Sequence, residues 1–172
     1  MLCYKFADLL PNHYFCKIIR GHMRKRKTEQ TPTNLLDKMP LRVRFSETDG
    51  IGVVWHGEYI RYFEDGRESF GENFGMPYLE VFKEGYVIPI VDVSCQYLHP
   101  LHAGERGTIE TRFIDTPAAK IIFEYSVYKE PEHVLCATGS TTQVFLKKDT
   151  GELELTTPEF YLSWKKKWNL LK

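Results

Sequence analysis

The feature that most restricts the fold is an order of patterns: one long helical stripe, then four strand-like runs with no second long helix between them. Ile60, Phe63, Arg67, Phe70 and Phe74 recur at steps of three and four, which is one face of a helix of about four turns. Gly71 and Gly75 lie near its end and Pro77 stops it. "PYLEVFKEG" fits a short second helix. The runs that follow are "YVIPIVDVSCQYL", "RGTIETRFID", "KIIFEYSVYK" and "VLCATGSTTQVFLKK". In the third, Ile121, Phe123, Tyr125 and Val127 alternate with Lys120, Glu124 and Ser126, the period of a strand with one buried face. Turn signals in "HPLHAGE", "DTPAA" and "EPEH" separate the runs. An alternating "LRVRFS" ahead of the helix supplies another strand. A helix followed by consecutive strands is the α+β pattern. The expected architecture is a curved antiparallel five-stranded sheet wrapped around one long central helix. "PEFYLSWKKKW" reads as a terminal basic helix laid on a sheet edge rather than on a membrane.

The 172 residues suffice for one packed domain, since a chain near that size buries roughly 70% of its unfolded surface. Charge is uneven. Residues 1–38 carry eight Lys/Arg and three Asp/Glu, and residues 39–172 carry fifteen and twenty. Residues 1–38 read as a basic, disordered N-terminal extension, and residues 39–172 as the folded domain. A chain beginning at Met39, where "MPLRVRF" opens a strand, is expected to fold. The acidic main domain speaks against nucleic-acid binding, which needs a broad basic face. Cys3, Cys16, Cys95 and Cys136 form no C-x-x-C pair and no zinc spacing. They read as reduced thiols of a cytoplasmic protein. The apolar start is broken by Lys5, Asp8, Pro11 and His13 and reads as neither signal peptide nor membrane span.

One stretch carries chemistry. "DGIGVVWHGEY" places Asp49 ahead of a glycine-punctuated turn that enters the long helix. Such an acid ordinarily makes an Asx turn or caps the helix. It also stands close to backbone N–H groups that the helix start leaves unpaired and to the positive end of the helix dipole. Glu64 and Arg67, three apart on the helix, read first as a structural ion pair. His99 and His102 are separated by Pro100 and have no third ligand nearby, which weighs against a metal. No G-x-S-x-G nucleophile elbow is present.

The stretch "RFSETDGIGVVWHGEYIRYFEDGRESF" resembles the 4-hydroxybenzoyl-CoA thioesterase family of the hot-dog fold. The matching residues are Phe45, Thr48-Asp49, Gly52, Val53-Val54, His56, Tyr59, and Glu64 with Arg67. A second signature lies in "YLHPLHAGE", at Tyr97, Pro100, Gly104 and Glu105. The resemblance covers about residues 40–147. It implies an acyl-CoA thioesterase with no metal and no tightly bound cofactor. Asp49 would be its general base or nucleophile. A backbone amide at His56 or Gly57 would hold the oxyanion, usually the largest single catalytic term. Gly52, Val54, Trp55, Tyr59 and Glu64 are the expected substrate-side residues. The substrate would be an acyl- or aroyl-CoA. The family's sites usually form between subunits, so a homodimer or homotetramer is implied. The rivals are a non-catalytic acyl-CoA-binding protein of the same fold, and a dehydratase or hydratase. The latter is disfavoured because its short signatures are absent.

Overall fold

The computed structural model describes residues 29–171. Five strands form one antiparallel sheet in the order β1-β4-β5-β6-β3. They are β1 (Thr31–Arg42), β3 (Ile90–Tyr97), β4 (Arg106–Asp115), β5 (Lys120–Glu130) and β6 (Val134–Val144). Two short strands, β2 (Tyr86–Val87) and β7 (Leu146–Lys147), pair beside it. The long helix α1 spans Glu58–Phe74 and the short α2 spans Tyr78–Lys83. The sheet's outer strands are β1 and β3.

The helix lies on the sheet through the stripe that its periodicity predicted. The Phe63 ring stacks on Tyr125 with centroids 4.4 Å apart, and Phe70 meets Phe123 edge-on at 4.9 Å. Ile109, Phe113, Ile121, Phe123, Tyr125 and Val127 line the buried face. Burying such side chains contributes roughly 1.5–3 kcal/mol each. Arg67 is the polar member of the stripe. Its buried guanidinium donates to the Tyr78 and Tyr125 hydroxyls at 2.9 and 3.2 Å and to Glu64 Oε2 at 3.1 Å, so the charge is not left unpaired.

Two expectations need correction. The sheet begins at Thr31, eight residues before Met39. Thr33, Leu35 and Asp37 are buried. Thr33 Oγ1 donates to Phe113 O, and Asn73 Nδ2 donates to Asp37 Oδ1, both at 2.7 Å. The inward positions of this half-strand are mostly polar, so no apolar alternation marks it. Pro32 and Pro40 look like linker residues, yet β1 is an outer strand, where a missing N–H is tolerated. Residues 1–28 of the expected extension lie outside the described residues.

The hydrogen bonds of the terminal helix α3 (Glu159–Lys167) run to the end of α1 and to the strand ends at the β4–β5 turn rather than to an outer strand. The helix closes the C-terminal end of α1 and the β4–β5 turn. Trp164 Nε1 and Trp168 Nε1 both donate to Phe74 O, at 2.8 and 3.1 Å, and satisfy a carbonyl that the helix end leaves open. Lys165 Nζ lies 2.7 Å from Asp115 Oδ1 and donates to Thr116 O at 2.6 Å. No helix among the described residues is long and apolar enough to cross a membrane.

Candidate active site

The segment between β1 and α1 folds back on itself. Thr48 bridges Val54, and Trp55 N–H donates to Glu47 O at 2.8 Å. Asp49 N–H donates to Val53 O at 2.8 Å, and Gly52 N–H returns to Asp49 O at 3.0 Å. Gly52 makes this closure with φ of +81°, a conformation that side chains disfavour. The loop is pinned from the far side by Val54 N–H on Leu101 O at 2.8 Å and by a bridge between Val53 and His102.

Asp49 is exposed at the lip of this loop. Its Oδ1 accepts the Ile51 N–H at 2.9 Å and, more weakly, the Val53 N–H at 3.4 Å. That is an Asx turn, and it fixes the carboxylate with Oδ2 turned away from those donors. The nearby acid Glu47 is committed otherwise. Its Oε2 accepts the Arg44 N–H and the Tyr62 hydroxyl, both at 2.8 Å. Burial, then the Glu47 carboxylate, pushes the Tyr62 phenol above its usual range, so it remains a donor.

The helix start faces the same loop. Glu58 N–H donates to Trp55 O at 2.9 Å and Ile60 N–H to Gly57 O at 3.2 Å. Among the described residues the N–H groups of His56 and Gly57 have no backbone acceptor. The Trp55 ring lies over Gly57, in the space that a Cβ there would occupy, so only glycine admits this packing. Trp55 is 49% exposed, and its ring meets His56 at 4.6 Å.

Asp49 and Gly52 sit at the tip of this loop, where Asp49 pairs with Val53, and Trp55, His56 and Gly57 follow at its root, where Trp55 pairs with Glu47. Val54 and Tyr59 instead turn into the core, 6% and 4% exposed. Burial pushes the Tyr59 phenol up to about 12. Glu64 is not at the helix start. It lies seven residues on, about 10 Å along the axis, paired with Arg67. Tyr97, of the second signature, reaches the helix start. Its hydroxyl donates to His56 O at 3.0 Å, on the peptide that carries the Gly57 N–H. That contact spans 41 residues, and no local pattern announces it. Among the described residues no group of three His, Cys, Asp or Glu is placed to hold a metal.

The sequence model of the thioesterase-like superfamily matches residues 43–164. The chain belongs to the thioesterase-like superfamily. Its sheet and central helix are those of the hot-dog fold. A putative acyl-CoA thioesterase of Bacillus subtilis (strain 168), YneP, is 30% identical over 115 residues, 67% of this chain and 83% of that protein. The chloroplastic acyl-acyl carrier protein thioesterase ATL3 of Arabidopsis thaliana is 34% identical over 104 residues, and the match spans 59% of this chain and 55% of that protein. The solved structure of a DHNA-CoA thioesterase from Staphylococcus aureus superposes with a TM-score of 0.70 at 25% identity, covering 78% of this chain and 92% of that one.

Proposed function

We propose that the chain hydrolyses an acyl- or aroyl-CoA to the free acid and coenzyme A at the Asp49 turn. One observation carries this reading: an exposed, backbone-fixed carboxylate shares a loop with a helix start whose His56 and Gly57 N–H groups have no backbone acceptor among the described residues. A thioester carbonyl placed on those amides meets preorganised donors and the positive helix end. Asp49 takes a proton from water as the water oxygen adds to the carbonyl carbon. Charge then develops on the carbonyl oxygen, where the amides hold it. The intermediate collapses, the C–S bond breaks, and the thiolate leaves and is reprotonated. Direct attack by Asp49 reaches the same products through a mixed anhydride that water opens.

The acyl group has little room inside one copy of the chain near Arg67. The cavity lined by Arg67, Tyr78 and Gln143 is about 10 Å³, enough for roughly one water. The outer strand β3 and the loop after it expose Val93, Tyr97 and Leu98, and Tyr97 touches the His56 peptide. A second copy against this edge would cover the site's open side, which supports a homodimer or a homotetramer built from it. A cytoplasmic setting belongs to the same proposal and agrees with free thiols at Cys95 and Cys136.

The Asx turn favours one rival, a non-catalytic acyl-CoA binder in which Asp49 only shapes the loop. A free-thiol release assay over a panel of acyl-CoAs separates the two. Asp49→Asn keeps an oxygen for the Ile51 N–H but cannot act as a base. Turnover is expected to fall roughly 10²–10⁴-fold with binding retained. A variant as fast as the parent removes Asp49 from the chemistry. A parent that releases no thiol from any acyl-CoA leaves the binder.

A further inference from the structure

The end of β1 gathers cations, two of which have no ion pair among the described residues. Arg42 stands directly across from Arg106 in the β1–β4 register, so both side chains share one face of the sheet. Like charges in that relation are destabilising. Other cations on these strands are satisfied. Lys38 Nζ lies 2.6 Å from Glu110 Oε1, Arg112 Nη1 donates to Thr33 O at 2.9 Å, and Lys129 Nζ lies 3.3 Å from Glu105 Oε1.

The nearby carboxylates are engaged elsewhere. Glu130, across from Arg106 on β5, accepts from Thr108 Oγ1 at 3.1 Å and lies 3.1 Å from His133 Nδ1. Glu105 holds Lys129 and the His102 N–H. Neither Arg42 nor Arg106 has an ion pair among the described residues. Arg44, 77% exposed, approaches Glu47 only to 3.9 Å. Phe45 follows it with 86% of its surface exposed.

Arg42, Arg44 and Phe45 line an open groove whose other wall is Ala103 and Gly104. The groove is joined to the catalytic loop through backbone. Gly104 N–H donates to Val43 O at 3.0 Å, and Val43 N–H to Glu105 O at 2.9 Å. His102, two residues before Gly104, bridges Val53 of the loop. Arginines without an ion pair among the described residues, beside the exposed Phe45 ring, fit a ligand with phosphates and a flat base. Guanidinium forks match phosphate oxygens, and the ring offers a stacking face.

We propose that this groove binds the adenine nucleotide end of coenzyme A, with Arg42 and Arg106 on its phosphates, Arg44 at the rim and Phe45 against the adenine. The inference rests on the thioesterase reading and assigns the carrier half of the same substrate. It also selects between carriers. Coenzyme A and a carrier protein both present a phosphopantetheine arm, but only coenzyme A brings an adenine ring and a 3′-phosphate.

The test compares the parent, Arg42→Ala/Arg106→Ala and Phe45→Ala on one acyl group carried by coenzyme A, by pantetheine, or by an acyl carrier protein. The double variant should raise KM for acyl-CoA about tenfold with kcat held. Its effect on acyl-pantetheine should be largely lost. Phe45→Ala should raise KM for acyl-CoA by about threefold. Coenzyme A titrated calorimetrically should bind the folded double variant about tenfold more weakly than the parent. An unchanged KM for acyl-CoA overturns the proposal, as does an equal loss on acyl-pantetheine. A double variant that loses acyl-carrier-protein hydrolysis while keeping acyl-CoA hydrolysis also overturns it. A parent that hydrolyses none of the three defeats the thioesterase reading instead, and the calorimetric comparison still decides the groove.

Discussion

Replacing His56 by proline and by alanine separates the backbone of the helix start from the side chain on it. The Glu58 N–H to Trp55 O bond, 2.9 Å long, closes a turn over residues 55–58. His56 occupies its second position, the place where proline is favoured, so the proline variant can keep the turn. Both variants lose the imidazole and its 4.6 Å contact with Trp55, an aromatic contact of about 0.5–1.5 kcal/mol. That loss is common to the pair and cancels in the comparison. Only proline removes the N–H, which has no backbone acceptor among the described residues. Removing one oxyanion donor costs about 2.7–4 kcal/mol of barrier, a factor of roughly 10²–10³ in kcat. Steady-state thiol release on one acyl-CoA should show His56→Ala within about tenfold of the parent and His56→Pro lower by that further factor. Circular dichroism establishes that both are folded. Equal kcat values for the two variants would show that the His56 amide is not the donor, and would move the oxyanion to the Gly57 N–H.

Leu35→Ala removes a side chain that is 8% exposed on β1 and should cost about 2–4 kcal/mol, or roughly 4–16 °C in thermal midpoint for a domain this size. A chain beginning at Met39 also loses Thr33 and Asp37, so it should melt lower still by differential scanning calorimetry; a midpoint equal to the parent's would show that residues 31–38 do not hold the sheet. Light-scattering chromatography should give a dimer or a tetramer, and a strict monomer that hydrolyses acyl-CoA would exclude a site completed by a second copy.

The helix and β5 were legible because most of their buried positions are apolar and keep a period. Ile121, Phe123, Tyr125 and Val127 recur on one face of β5, with Ile122 the buried exception on the other, and the bulky stripe from Ile60 to Phe74 spells out the helix. The first half of β1 hides because Thr33 and Asp37 face inward, where Thr33 donates to the Phe113 carbonyl and Asp37 Oδ1 accepts from Asn73. Those partners lie 80 and 36 residues away, so no window around β1 contains the reason for its burial. The position of α3 was misjudged on similar grounds. Its tryptophans are held by one carbonyl at the end of α1, some 90 residues earlier.

The candidate catalytic loop divides along the same line. Its backbone part is local. A carboxylate, a left-handed glycine and a glycine under a tryptophan all fall within nine residues, and a short motif can encode them. Its side-chain environment is assembled from elsewhere. Tyr59 points into the core because the first helical turn must bury one face, and Val54 does so from the loop, held by its N–H on Leu101 O. Glu64 lies on the same helix yet two turns away, held by Arg67. Tyr97, which grips the His56 peptide, arrives from β3 across the sheet edge. The proposed oxyanion and base positions therefore need only local sequence. The residues of β1, β3 and β4 proposed to complete the site reach this loop only once the sheet has formed.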